Sequence, residues 1–134
     1  MKLVVQKVFD DFPALKGKVR LKASLVVHKT TFDITRRVKM AMGEPKSGRE
    51  YPRGGGKVHI ASAPGEAPAI DYGTLINSIT EDFPTDLTGI TYSSVPYSVY
   101  LEFGTHKIAP RPAWIPAAEA AWPGFLSALQ KIME

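Results

Sequence analysis

Glu102, His106 and Arg111 fall within ten positions of one another, and their types could do chemistry together. A carboxylate and an imidazole can act as a general acid and base, or they can bind a metal ion. His28 and His59 are the other histidines of the chain. Either kind of site requires that several of these side chains converge on one point.

The spacing of these residues does not favour a catalytic site. Gly104 and Thr105 separate Glu102 from His106 at a predicted helix end, so no shared helical face brings the two side chains together. The sequence contains no H-x-x-x-H or H-E-x-x-H pattern. A metal-dependent hydrolase built on His59, His106 and Glu102 is a minor alternative, and we expect no catalytic, cofactor-binding or metal-binding residues.

A structural role suits Glu102 and Arg111 better. Arg111 lies between Pro110 and Pro112, which would present its guanidinium rigidly to a carboxylate at a nearby helix end. The helix dipole disfavours a carboxylate at a helix C-terminus, so Glu102 needs a local partner. We expect Glu102 to hold residues 106–114 through Arg111, the best candidate, or through backbone N–H groups of that segment.

The elements that would position these residues begin and end with helices. In residues 16–42 apolar side chains recur every three or four positions, and Gly43 followed by Pro45 supplies the stop. A second apolar stripe in residues 114–133 predicts a C-terminal helix, which Pro123 would bend or split.

Between the two helices the sequence predicts a hairpin and a short helix. Residues 78–83 and 89–94 are rich in β-branched and aromatic side chains and flank a turn-forming stretch, as antiparallel strands do. Pro96 and Gly104 suit the start and the end of a short helix. The predicted fold is α+β, in which a long N-terminal helix and a C-terminal helix pack on a small antiparallel sheet in a single domain, residues 1–134.

Residues 43–73 are rich in glycine and proline, and they are predicted to form a long extended loop with one strand. That strand lies in KVHIAS, residues 57–62, where apolar and polar side chains alternate. The preceding glycines lack the spacing of a phosphate-binding loop. Because little of this backbone is predicted to pair locally, we expect residues 47–69 to become ordered only against a partner.

Charge is distributed unevenly along the chain. Residues 1–57 carry fourteen Lys or Arg against five Asp or Glu, hence +9, whereas residues 58–134 carry three against eight, hence −5. Opposite charges on two parts of a protein favour head-to-tail packing of identical copies, and a basic surface can also bind nucleic acid. The cations that could line a DNA channel or an interface are Lys18, Lys22, Lys29, Arg36, Arg37, Arg49, Arg53 and Lys57.

The composition also limits chemistry and compartment. The chain has no cysteine, which excludes disulfides and thiol catalysis. It has neither an apolar run long enough to cross a membrane nor the pattern of a secretory signal at its start. We therefore expect a protein that is made in a cytoplasm and has no membrane partner.

Residues 62–120 carry four short motifs: a Pro-Gly-x-x-Pro loop, a Gly-x-Leu turn, a helix end of the form Tyr-x-x-Tyr-x-Glu-Phe-Gly-Thr, and an Arg-Pro lead into the last helix. Their residues are Pro64, Gly65 and Pro68; Gly73, Leu75, Ser78 and Ile79; Tyr97, Tyr100, Glu102, Phe103, Gly104 and Thr105; and Arg111, Pro112, Pro116 and Ala117. Together they resemble the tail-component, tail-completion or neck family of head-tail joining proteins from long-tailed bacteriophages. Ala113 departs from the family pattern, which prefers a phenylalanine there.

The resemblance implies a structural virion protein, not an enzyme, that forms a homo-oligomeric ring joining tail to head. It implies no cofactor. The implied partners are head-closure or connector proteins, tail-tube or tail-terminator proteins, and genome DNA in the lumen. The implied location is the virion neck or tail, after synthesis in the host bacterial cytoplasm. Structural or assembly roles would fall to Glu102, Gly104, Thr105, Arg111, Pro112, Gly73, Leu75, Pro64 and Gly65. The alternative is a non-sequence-specific DNA-binding protein that uses the basic N-terminal helix.

Overall fold

The computed structural model describes residues 2–6 and 17–133, which form four helices and five strands. Their order is β1 (Lys2–Gln6), α1 (Lys18–Gly43), β2 (Glu50–Pro52), β3 (Val58–Ile60), α2 (Thr74–Asn77), β4 (Ile79–Thr85), β5 (Thr88–Ser93), α3 (Ser98–Phe103) and α4 (Trp114–Met133). The predicted α+β class, with long helices near both ends and small antiparallel sheets, is confirmed. None of the helices in the described ranges is long and apolar enough to span a bilayer.

α1 is the central element because it contacts both α4 and the larger sheet. Its sequence has no proline or glycine before its last residue, so nothing interrupts the helical hydrogen bonds. The buried face of α1 consists of Ala23, Ser24, Val27, Thr31, Ile34, Thr35, Val38 and Met42. The apolar members agree with the predicted periodicity, whereas the buried hydroxyl residues were not part of it.

The larger sheet has three antiparallel strands in the order β1-β5-β4. β4 and β5 form the predicted hairpin, with Ile79 opposite Ser93. β1 adds to the other side of β5, where Val4 pairs with Ile90. The sequence did not predict β1, because its partner strand lies more than eighty residues away and no local turn connects the two strands.

Residues 43–73 contain two strands, so the prediction of one strand in this segment is wrong. β2 and β3 form a second antiparallel sheet in which Tyr51 lies opposite His59. The Gly48 N–H donates to the Ala61 carbonyl over 2.9 Å and continues the pairing beyond β2. β2 shows no alternation because all three of its residues are exposed, and Pro52 argues against a strand in the sequence.

The main core lies between α1 and α4. The buried side chains of α4 are Trp114, Ala117, Ala121, Phe125 and Leu129. They form one cluster with the apolar residues of α1 and with Leu75, Ile79 and Leu87. α4 runs without a break through Pro123, which lies on the exposed side of the helix where its ring does not disturb the core.

α1 approaches the sheet closely at Gly89 of β5. A Cβ atom on Gly89 would lie 1.9 Å from Thr31 Oγ1, which is far inside contact distance. Nearby, the buried Thr35 Oγ1 and Thr91 Oγ1 are joined by a 2.8 Å hydrogen bond between helix and strand. The spacing between α1 and β5 therefore depends on the absence of a side chain at position 89.

Gly89→Ala should destabilise the fold by about 1–3 kcal/mol, because the added methyl group must push α1 and β5 apart. Gly124→Ala is the matched control, since a Cβ at Gly124 in α4 meets no atom within 4 Å. Alanine is the better helix former there, so the control should gain about 0.5–1 kcal/mol. Urea unfolding of both variants measures the difference. Equal effects of the two substitutions would show that there is room for a methyl group between Gly89 and Thr31.

Candidate functional site

Among the residues that the structure describes, Glu102 is the one charged side chain that is buried, and α3 places it in the interior. Ser98 and Glu102 are the buried residues of α3, and only 3% of the Glu102 surface is exposed. A carboxylate removed from water needs hydrogen-bond donors to compensate for its lost solvation. The hydrogen-bond donors around Glu102 therefore show which segments α3 is connected to.

Both carboxylate oxygens of Glu102 accept hydrogen bonds from the backbone at the start of α4. Oε1 accepts from the N–H groups of Trp114, at 2.7 Å, and Ala113, at 3.0 Å, and Oε2 lies 3.1 Å from the Ala113 nitrogen. The first N–H groups of a helix have no partner within the helix, and the positive end of the helix dipole lies there. Glu102 thus caps the N-terminus of α4 from a different helix.

The expectation that Glu102 holds the following loop through backbone N–H groups is correct, whereas the preferred pairing with Arg111 is wrong. The Arg111 guanidinium donates instead to the carbonyl of Ser62, at 3.3 Å from Nε, and to the carbonyl of Ala109. The Arg111 N–H donates to the Leu101 carbonyl over 2.6 Å. This backbone bond turns the chain so that the next two N–H groups face the carboxylate and the guanidinium faces the loop at Ser62.

Gly104 and Thr105 shape the turn that makes this arrangement possible. Gly104 has φ +74°, and a Cβ there would lie 2.7 Å from the Ile108 carbonyl oxygen. Its N–H closes α3 by donating to Tyr100 over 2.8 Å. Thr105 Oγ1 accepts from the N–H groups of Lys107 and Ile108, at 3.2 and 3.1 Å. Both residues therefore have structural contacts in the loop between α3 and α4.

The Pro64–Gly65 turn joins the same site from another part of the chain. Gly65 has φ +86°, and its N–H donates to the Pro110 carbonyl over 3.0 Å. The site, here called the α3–α4 junction, consists of Glu102, Gly104, Thr105, Arg111 and Gly65. Three stretches of sequence that are separated along the chain meet in it.

The other predicted structural residues serve nearby elements. Gly73 has φ +80° and lies directly before α2 as its N-cap, and Leu75 of α2 belongs to the core. Pro112 is half-buried and lines a groove between the ends of α1 and α4. Pro64 is exposed beside Gly65. Gly73 and Leu75 thus act in α2 rather than at the α3–α4 junction.

The sequence did not identify Glu66, which connects two parts of residues 43–73 by hydrogen bonds. Its carboxylate accepts from the N–H groups of Ser47, at 3.1 Å, and Ala63, at 2.8 Å, and from the Ser47 hydroxyl. These bonds, led by the Ser47 hydroxyl, lower the pKa of the Glu66 carboxyl from 4.5 to about 2. Its spacing could have identified Glu66 from the sequence, because it lies three positions after Ala63, and at that spacing an acidic side chain can reach back to a backbone N–H.

The histidines do not form a site with Glu102. His28 packs edge-on against Phe83, with ring centroids 4.1 Å apart, and His59 Nδ1 lies 3.6 Å from the Asp71 carboxylate. His106 is exposed in the loop after Gly104. Among residues 2–6 and 17–133, no group of three or more His, Asp or Glu side chains is placed to hold a metal ion.

The eight cations named from the sequence fall into two groups. Those on α1 are Lys18, Lys22, Lys29, Arg36 and Arg37, and those beside the β2–β3 hairpin are Arg49, Arg53 and Lys57. Arg36 and Arg37 both pair with Asp33, at 2.6 and 2.8 Å. Arg53 pairs with Asp71 and holds the pKa of that carboxyl below its usual range. Three of the eight cations thus form ion pairs, with two carboxylates between them, and DNA binding through α1 stays a prediction.

Glu102→Gln should destabilise the fold by about 1–3 kcal/mol. An amide oxygen in the position of Oε1 can still accept from Trp114 and Ala113, but the amide nitrogen in the position of Oε2 places two donors against each other at the Ala113 N–H. The negative charge that favours the N-terminus of α4 is lost as well. Glu119→Gln on the exposed surface of α4 removes the same charge and should change stability by less than about 0.5 kcal/mol. Thermal and urea unfolding of both variants measures the contrast, and similar stabilities would refute the capping role.

The Glu66 contacts should be lost in acid. Because folding lowers the pKa of Glu66, folding stabilises the ionised form; that stabilisation is complete above pH 4.5 and is lost as the pH falls through about 2. The amide NMR signals of Ser47 and Ala63 should therefore titrate together with a midpoint near pH 2, and in Glu66→Gln this titration should disappear. The buried Thr91 amide monitors global unfolding in the same spectra. A midpoint near 4.5 would contradict the contacts.

Comparison with known proteins adds no relative of this chain. No family model, curated protein or solved structure matches it. Its functional interpretation therefore depends on the sequence motifs and on the contacts of the α3–α4 junction.

Proposed function

We propose that this chain is a structural subunit of a phage neck or tail end, which assembles into a ring that joins tail to head around the DNA channel. The observation that carries the proposal is that residues of three of the four motifs meet in the α3–α4 junction. Glu102 binds the backbone at Ala113, and Gly65 binds Pro110. The motifs that resemble the neck family thus belong to one folding unit with mutual contacts.

The contacts of the junction fit a scaffold. The charged side chains of the junction bind the protein's own backbone: Glu102 caps α4, and Arg111 donates to the Ser62 carbonyl. A closed ring needs subunits of constant shape, because the same rotation must be repeated at each contact. A buried, hydrogen-bonded carboxylate that fixes two helices relative to each other supplies such rigidity.

The exposed face of α1 supports contact with other proteins. Leu21, Leu25, Phe32 and Met40 each expose more than half of their surface. Lys22, Lys29 and Arg36 lie on the same side of α1 as these apolar side chains, so this exposed face is mixed and not purely basic. Large exposed apolar residues mark protein interfaces more often than phosphate-binding surfaces, so the arrangement favours a neighbouring subunit over DNA as the main partner of this face.

The purified full-length protein, alone or with the neighbouring neck proteins, should form rings that are visible by negative-stain electron microscopy. Deleting its gene from the phage that encodes it should give filled heads and separate tails, because the joining layer is missing. A plasmid copy of the wild-type gene is the control and should restore joined particles. The proposal would be refuted if heads and tails joined normally after the deletion and the protein formed no ring, either alone or with the neighbouring neck proteins.

A further inference from the structure

The outward side of α3 is aromatic. Tyr97, Tyr100 and Phe103 expose 45%, 57% and 56% of their surfaces. Their spacing of three residues places them on one side of the helix, opposite Ser98 and Glu102, which are buried. α3 therefore reverses the usual arrangement of a surface helix, since its charged residue faces inward and its rings face outward.

Tyr72 extends this surface. Its side chain is 81% exposed, and it lines the same shallow pocket as Tyr97. We call Tyr72, Tyr97, Tyr100 and Phe103 the aromatic face. Aromatic side chains bury a large area with few rotatable bonds, and they contribute strongly to binding energy at protein interfaces. Exposed aromatic residues grouped in this way mark an interaction site.

The same chain also carries a concave surface, the α1–α4 groove. It has a volume of about 560 Å³ and lies between the two long helices. On the α4 side its lining includes Ala120, Gly124 and Ala128, whose small side chains leave the space open. Leu25 and Phe32 of α1 add apolar walls. A groove with small and apolar lining can accept aromatic rings.

Charge also matches the two surfaces. Lys29, Arg36 and Arg37 line the groove on the α1 side together with Asp33. Both arginines pair with Asp33, whereas Lys29 makes no ion pair with any described residue, so the lining keeps a net positive charge. Within the chain, Arg53 already lies over one ring of the aromatic face, 5.6 Å from the centroid of Tyr72. The face of an aromatic ring carries negative potential, which attracts a cation held against it. Cations around an apolar groove therefore complement rings better than they complement another basic surface.

We infer that the aromatic face of one copy packs into the α1–α4 groove of the next copy. This inference rests on the proposed ring and names the contact that would build it. The two surfaces have no residue in common, so the contact is head-to-tail and leaves one free aromatic face and one free groove on every pair. Repeated with a constant rotation, such a contact closes into a ring.

Two variants that each destroy one surface test this pairing. Tyr100→Ser with Phe103→Ser removes exposed rings, and Ala120→Trp fills the groove from an exposed position of α4. The wild-type protein should associate beyond a dimer in sedimentation velocity as its concentration rises, and each variant alone should remain monomeric. An equimolar mixture should form a one-to-one dimer and stop there, because only one intact face and one intact groove are present.

The control is Tyr51→Ser, which removes an exposed tyrosine of β2 outside both surfaces and should associate like the wild type. Circular dichroism melts identical to wild type establish that the variants are folded. Association of either variant alone to wild-type size, or a mixture that stays monomeric, would overturn the pairing. A wild-type protein that is monomeric at every concentration would overturn it as well, whereas the gene-deletion phenotype tests the proposed joining role separately.

Discussion

The capping of α4 by the buried carboxylate of Glu102 is the interaction on which the second half of the structure depends. α4 supplies one side of the main core, and its direction is fixed where its first N–H groups meet an acceptor. That acceptor belongs to α3, so the two helices cannot change their relative orientation without leaving a charge unsatisfied in the interior. A single side chain therefore couples the orientation of a surface helix to the packing of the core.

The same coupling reaches the long segment before α2. Arg111, which does not pair with Glu102, donates to the carbonyl of Ser62, and the neighbouring Pro110 carbonyl accepts a hydrogen bond from the Gly65 N–H. Glu66 then ties Ser47 to Ala63. Although the segment is rich in glycine and proline, its backbone finds partners within the chain, which removes the reason to expect order only against another subunit. Its β2–β3 hairpin is held at its base by the junction.

Sequence reasoning succeeded where the signal was local and failed where it was not. The periodicity of α1 and α4 and the turn between β4 and β5 predicted those elements, because neighbouring residues alone determine them. β1 and β2 were missed because their partners are distant or their faces are exposed. At the junction the sequence predicted that Glu102 holds the following loop but offered two partners for it, a guanidinium and backbone N–H groups within a dozen residues. Which one the carboxylate meets depends on the turn at Gly104, and periodicity contains no information about that turn.

α3 itself shows why an inward charge and an outward aromatic face belong together. A helix of six residues has too few hydrogen bonds to be stable by itself, so contacts outside the helix must hold it. Apolar side chains facing the core could have supplied these contacts, but the core side of α3 meets the unpaired N–H groups of α4, which require an acceptor. Glu102 meets that requirement, and the rings are left on the solvent side. Because the carboxylate fixes the helix from within, the rings are presented in one orientation, and a partner that binds them loses little conformational entropy in doing so.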